Sequence, residues 1–318
     1  MQKGIMTNLI SHHANNKIMF WGNSVFQGNY AEDAQGIQIH FAPKVPNYNV
    51  INAGVGGETS LQILGRQGGV PMYLKNAVTI PANAATKVLI GNRTNGTTGI
   101  YSTEGYLFDN KPLTQAITTN VRDTSLINPV LIEGVECLLT WDESTENQYL
   151  QRTTNAAQSY TTKAKAIINT RAMRELRDAW CNIFLLFTND YQTPPSSIDV
   201  DAMLRQLEKG IEYSGTSRYI VMSEWSDQRL SFTQMISLED EMLKRYGARH
   251  FNTRRFAIER APGLLGITPS AGDQARMDQG LIPLFLTIDG LHFTNAMNAL
   301  VAEEFYQILL ATGVIKNY

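Results

Sequence analysis

Short runs of consecutive apolar residues alternate with stretches of helical period in two blocks of this chain, and a long segment of different character separates the blocks. Lys17-Ile18-Met19-Phe20-Trp21 reads as one buried strand and Asn49-Val50-Ile51-Asn52 as a second. Between them, Ala31 to Pro43 suits a helix. After the second strand, Thr59 or Ser60 can cap a short helix through Leu61, Ile63 and Leu64 that stops at Gly65 or Gly68. From about Gly69 to Tyr160 the chain turns rich in Thr, Asn and Gly, and short β-type runs recur at Asn76 to Ile80, Thr86 to Ile90, Val130 to Ile132 and Glu136 to Trp141. Turn signals at Pro81-Ala82-Asn83, Asn95-Gly96 and Asp109-Asn110 separate those runs, which is the pattern of a small antiparallel β module.

The alternation then resumes. Lys163 to Trp180 has helical character and leads into Asn182 to Phe187, an all-apolar strand after its first residue. Pro194-Pro195-Ser196-Ser197 opens a helix whose apolar face is Val200, Leu204, Leu207 and Ile211. Tyr219 to Met222 is the next strand, Leu238 to Tyr246 the next helix, and Arg249 to Asn252 a last short parallel strand. Val301, Phe305, Ile308 and Leu309 line a final helix stopped at Gly313. The sum predicts an α/β fold with a doubly wound parallel sheet, built from residues 1–68 and 161–318, and an antiparallel β domain inserted at residues 69–160.

Composition narrows the function classes. The 318 residues are 43% hydrophobic and 18% charged with a net charge of −2, and no basic run offers a footprint for nucleic acid. No apolar stretch approaches a membrane span, and Met1 to Lys17 is polar without the apolar region of a secretory signal. Cys137 and Cys181 are far apart in predicted strands and read as buried free thiols. The His12-His13 pair reads as part of an exposed polar tail, and no spacing of His or Cys suggests a metal site. No cofactor is expected.

Chemistry collects at the carboxyl ends of the predicted strands, where an open parallel sheet binds its ligands. Gly22-Asn23-Ser24-Val25-Phe26-Gln27-Gly28 follows the first strand, and Asn52-Ala53-Gly54-Val55-Gly56-Gly57-Glu58-Thr59 the second. Thr188-Asn189-Asp190 follows the third, and Asp289-Gly290-Leu291-His292 lies past the last, after the apolar run Ile282 to Leu286. Asp289 stands three residues before His292 and can hold its ring in one tautomer, which makes His292 a general base. Ser24 is the only hydroxyl of the first tip and can serve as the nucleophile. Gly57 can bring a bare N–H to a developing oxyanion, Asn189 can add a side-chain amide, and the Ser24 N–H a third donor. Each tip alone has an ordinary reading: a turn, a tight βα connection, a helix cap, an Asx turn. The glycine-rich tip could also cradle a phosphate, although it lacks the G-x-G-x-x-G spacing.

In order, the four tips resemble the blocks of the SGNH/GDSL hydrolase family, which contribute Ser, Gly, Asn and a His preceded by Asp on a flavodoxin-like sheet. The resemblance implies Ser24 as nucleophile, His292 as base, Asp289 as its orienter, and Ser24, Gly57 and Asn189 as the oxyanion hole. Gly65-Arg66-Gln67-Gly68-Gly69-Val70-Pro71, the β insert behind it and Gly266-Ile267-Thr268-Pro269 are similar to a subset found in phage and prophage proteins. Asn23 departs from the family's usual Asp, and Phe187 stands where the third block often has Gly.

The expected activity is therefore that of a serine esterase, with an O-acetylated carbohydrate or other small ester as its substrate. A phage-tail setting would add a surface polysaccharide as substrate and a homo-oligomer as the working unit; a cytoplasmic location is the alternative. The aromatic residues Tyr73, Tyr101, Tyr106, Phe108 and Trp141 suit either a glycan-facing wall or the insert's own core. Two rivals remain: a non-catalytic glycan- or receptor-binding virion module on a hydrolase scaffold, and a nucleotide-binding flavodoxin-like protein.

Overall fold

Ile18, Met19, Phe20 and Trp21 are all buried, so the first strand is covered on both faces. It is β1 (Asn15–Gly22) of a computed structural model that describes residues 15–28, 36–92, 99–103, 126–142 and 144–316. After it come α1 (Ser24–Gln27), α2 (Ile37–Phe41), β2 (Asn49–Gly54) and α3 (Ser60–Gln67). The middle of the chain holds β3 (Met72–Leu74), β4 (Thr79–Ile80), β5 (Lys87–Asn92), β6 (Ile100–Ser102), β7 (Val130–Ile132), β8 (Val135–Asp142), β9 (Asn147–Arg152) and β10 (Tyr160–Thr161). The last part runs α4 (Arg171–Glu175), β11 (Ala179–Leu185), α5 (Val200–Tyr213), β12 (Tyr219–Met222), α6 (Phe232–Tyr246) and β13 (His250–Phe251). It closes with α7 (Thr253–Glu259), α8 (Ala261–Leu265), α9 (Ala271–Asp278) and α10 (Asn295–Ala311).

Five strands form one parallel sheet in the order β13-β12-β11-β1-β2. Alternation along β1 divides its side chains between two cores. Ile18 and Phe20 pack with Ile37 and Phe41 of α2 and with Val301, Phe305 and Leu309 of α10. Met19 and Trp21 face the other way, toward Ile63 and Leu64 of α3, Leu204 and Leu207 of α5, and Met235 and Leu238 of α6. Helices thus cover both faces, which makes the sheet doubly wound. The chain steps from β1 outward to β2, then returns to add β11 on the other side of β1. The strand order reverses between β1 and β11, the switch point at which sheets of this kind bind ligands in a crevice at the carboxyl ends of their strands.

The middle segment builds a third core of its own, from Met72, Leu74, Ile80, Ile100, Val130, Cys137, Leu139 and Leu150 among others, with Leu61 of α3 packed against both it and the second core. Its strands pair antiparallel, as β5-β9-β8-β7, β3-β6 and β10-β4. Trp141 is buried, and Tyr73 and Tyr101 stack on each other at 6.1 Å, half-buried. Tyr106, Phe108, His12-His13 and the turns at Asn95-Gly96 and Asp109-Asn110 lie outside the described residues, as does the start of the helix expected from Ala31. Among the described residues no helix is long and apolar enough to cross a membrane.

Several boundaries differ from the sequence reading. Residues 163–170 are not helical. Leu74 N–H donates to Ala166 O, Ile168 N–H to Met72 O, and Leu131 and Asn169 exchange a pair of bonds, so the stretch lies extended against β3 and β7. Tertiary pairing overrides the helical propensity of Lys163 to Ala166, and only α4 remains, started by the Thr170 cap. The helix expected at Pro194 starts at Val200, because the Asp199 carboxylate supplies the cap by accepting from Ala202 N–H. The next helix begins six residues earlier than its apolar pattern suggests, at Phe232, where Ser231 and Gln234 form a capping box. Leu284–Leu286 is a single 3-10 turn, so Asp289 to His292 follows a turn, not a strand.

His250 in β13 is buried, and no hydrogen bond to its Nε2 is found among the described residues. Burial pushes its imidazole down to about 4. The fold therefore favours the neutral ring: the stabilisation is complete above the unfolded value near 6.5 and is lost as pH falls through about 4. Denaturant titrations should show His250→Phe losing less stability than the wild type between pH 7 and pH 4, by up to about 3 kcal/mol. Equal losses in the two proteins would remove His250 as the cause.

Candidate active site

The tip after β1 folds tightly because Asn23 caps α1, its Oδ1 accepting from Val25 N–H at 3.1 Å. Ser24 becomes the first helical residue, whose N–H has no intrahelical acceptor. The tip after β2 is fastened directly beneath it. Val55 N–H donates to Gly22 O at 3.0 Å, Asn52 Nδ2 to Phe26 O at 2.8 Å, and Gly56 N–H to Gln27 Oε1 at 2.8 Å. A Cβ built on Gly56 would stand 3.6 Å from that of Ser24. Gly57 follows at φ +79°, in the left-handed region, with open space where a side chain would be. No hydrogen bond to its N–H is found among the described residues.

The tip after β11 reaches the same place from across the crevice. Asn189 Nδ2 donates to Glu58 O at 3.0 Å, and no bond from the second hydrogen of the amide is found among the described residues. Phe187 is held at φ +78° although it is buried, with its N–H donating to Ser60 Oγ at 2.8 Å. That backbone conformation is the physical reason a glycine suits this position, and a bulky residue in it is strained.

The fourth tip brings the imidazole. Asp289 Oδ1 accepts from the N–H groups of Leu291 and His292 at 3.0 and 2.8 Å, and its Oδ2 lies 2.6 Å from His292 Nδ1. Burial raises the Asp289 carboxyl, but the N–H groups of His292 and Leu291 and the imidazole itself outweigh it, so it sits below the ordinary carboxylate range. Ionised, it accepts from Nδ1–H and leaves Nε2 as an acceptor. Nε2 stands 2.8 Å from Ser24 Oγ. Ser24 and His292 are only 6% and 8% exposed, whereas the outer side of Asp289 is open to water.

No family model and no curated protein matches the chain in sequence. Among solved structures, a peptidoglycan O-acetylesterase is similar to it at 14% identity and a TM-score of 0.37, over 94% of this chain and 91% of the other. The geometry above, not that likeness, is what the site offers.

All five residues singled out from the sequence, Ser24, Gly57, Asn189, Asp289 and His292, fall on three tips of the sheet and one loop that meet at the crevice. The sequence reading missed an ion pair beneath them. Arg66 Nε contacts both Glu58 oxygens at 3.1 Å, its Nη2 donates to Glu58 Oε2 at 2.6 Å and to Ala53 O at 2.8 Å, and neither side chain is exposed. Burial pushes the Glu58 carboxyl up, and the Arg66 guanidinium opposes it. The spacing of Glu58 and Arg66, one on the loop before α3 and one in its last turn, is a signal only once the helix is known to bury that face. Removing one partner leaves a charge stranded in the core. Arg66→Met should cost about 3–5 kcal/mol in urea titrations, and Glu58→Gln added to it should recover most of the loss. A single variant within 1 kcal/mol of the wild type would show the pair to be dispensable.

Proposed function

We propose that the protein is a serine esterase that works through an acyl-enzyme, and the observation that carries the reading is the unbroken relay from Asp289 through both nitrogens of His292 to Ser24 Oγ. Ser24 Oγ attacks the ester carbonyl carbon while its proton passes to His292 Nε2. The tetrahedral oxyanion is met by the N–H groups of Ser24 and Gly57 and by the Asn189 amide. Collapse breaks the bond to the leaving alcohol, which takes the proton from His292. A water then attacks the acyl-Ser24, again with His292 as base, and carboxylate leaves as Ser24 is restored. Asp289 keeps its charge throughout and holds the ring in register.

The substrate class we favour is an O-acetylated carbohydrate. The four sequence blocks support it through their resemblance to carbohydrate-active esterases of the SGNH type. In the same reading, residues 1–68 and 161–318 carry the chemistry, and the inserted β domain of residues 69–160, with the 163–170 stretch packed on it, shapes the approach to the crevice.

Acetate release from p-nitrophenyl acetate and from acetylated surface polysaccharides tests both parts. Ser24→Ala and His292→Ala should each lower kcat by on the order of 10⁴–10⁶, and a serine-directed fluorophosphonate should label the wild type but not Ser24→Ala. A wild type no faster than Ser24→Ala on every ester, and unlabelled, would make the chain a binding module on a hydrolase scaffold.

A further inference from the structure

The turn that follows β12 is absorbed by no step above, yet it touches the Asp289 loop at each carbonyl in succession. Glu224, fully buried, organises the turn: its Oε1 accepts from the N–H groups of Trp225 and Ser226 at 2.9 and 2.8 Å. Three side chains then point to one strip of backbone. Trp225 Nε1 donates to Leu291 O at 3.2 Å, Ser226 Oγ to Gly290 O at 3.4 Å, and Gln228 Nε2 to Asp289 O at 2.9 Å. The Trp225 ring also stacks on Phe293, with centroids 4.5 Å apart.

The hydrogen bonding of the loop is thereby divided by sign. The N–H groups of Leu291 and His292 go inward to the Asp289 carboxylate, and the carbonyls of Asp289, Gly290 and Leu291 go outward to the turn. Neither half alone fixes where the carboxylate lies. The inward bonds set its position relative to His292, and the outward ones set the loop relative to the sheet that carries Ser24. Gly290 marks how close the two segments come: at φ +84°, a Cβ there would stand 2.5 Å from Gln228 Nε2.

We infer that Gln228 is a positioning residue for the Asp289–His292 pair, the outer member of a three-point clamp by which the turn after β12 aligns His292 on Ser24. The inference rests on the acyl-transfer reading for its kinetic consequence, but not for the clamp itself. Of the three side chains, Gln228 is exposed and can be changed without opening the core, whereas Trp225 is part of it. Its bond is also the shortest of the three.

Gln228→Ala removes the donor, and Gln228→Glu keeps the shape while setting an acceptor against the Asp289 carbonyl. Both should lower kcat by roughly 5–20-fold, because small misplacements of reacting groups are costly. KM should stay within about two-fold and the melting temperature should be almost unchanged, with Gln228→Glu at least as impaired as Gln228→Ala. A second readout needs no turnover: the far-downfield proton resonance of His292 Nδ1–H, bonded to Asp289, should shift or broaden in both variants. If kcat and that resonance match the wild type in both variants, Gln228 is a surface residue and the clamp is wrong. If the wild type hydrolyses no ester while the resonance responds to Gln228, the esterase reading falls and the clamp stands.

Discussion

Glu58 and Arg66 are paired where water does not reach, and four segments of the chain meet at these two residues. The Arg66 guanidinium, having met the Glu58 carboxylate, also donates to the Ala53 carbonyl near the end of β2 and lies 5.8 Å from the centre of the Trp21 ring in β1. The Arg66 carbonyl accepts from Thr170 Oγ1 at the start of α4, and the Glu58 carbonyl accepts from Asn189 beyond β11. A desolvated ion pair is stable only when its remaining donors and acceptors are matched, so this one dictates where its neighbours stand. Gly57 is next in line to Glu58. Its N–H has no acceptor among the described residues, while the residue after it is anchored by Arg66.

The sheet supplies the other constraint. A strand buried on both faces, as β1 is, favours apolar side chains along its length, and Ser24, Gly57 and Asn189 sit past the points where β1, β2 and β11 run out. The reversal of strand order falls between β1 and β11, the strands that carry the first and third of these tips. His292 comes from outside this logic. It rides on a loop between a 3-10 turn and α10, closed by the Thr287–Phe293 bridge and by Ile288 N–H donating to His292 O. A loop so placed needs external bracing, which is why the turn after β12 matters to it.

Legibility in the sequence followed the same division. The strands β1, β2 and β12 could be read almost residue for residue, since runs such as Ile18 to Trp21 have no amphipathic alternative. The polar tips could be read because they interrupt such runs abruptly. Helix starts were harder where a cap lay several residues from the apolar face, as with Ser231 before Leu238. The stretch at Lys163 to Ile168 was misread because its composition favours a helix while its backbone partners, Met72, Leu74 and Leu131, lie about 35–95 residues earlier in the chain. Ion pairs and clamps were invisible for that reason too: Glu224 and Gln228 carry no local pattern, and their meaning comes from the carbonyls of residues 289–291 facing them.

Glu58 and Asp190 adjoin Gly57 and Asn189 in sequence, where a carboxylate facing inward would oppose the oxyanion proposed for acyl transfer. The structure turns both away. Glu58 gives its charge to Arg66, and Asp190 Oδ1 accepts from Ser60 N–H at 2.7 Å, at the amino end of α3, where a helix favours negative charge. Phe187 belongs to the same arrangement. Its left-handed backbone lets its N–H reach Ser60 Oγ while Asp190 N–H returns to the Phe187 carbonyl at 3.2 Å. The tip after β11 is thus locked onto the start of α3 by two bonds to Ser60 and closed on itself by a third, and these hold the strain at Phe187 in place. Among the described residues Gly57 N–H has no acceptor and Asn189 Nδ2 keeps a hydrogen beyond its bond to Glu58 O, the polarity that the proposed tetrahedral oxyanion would require.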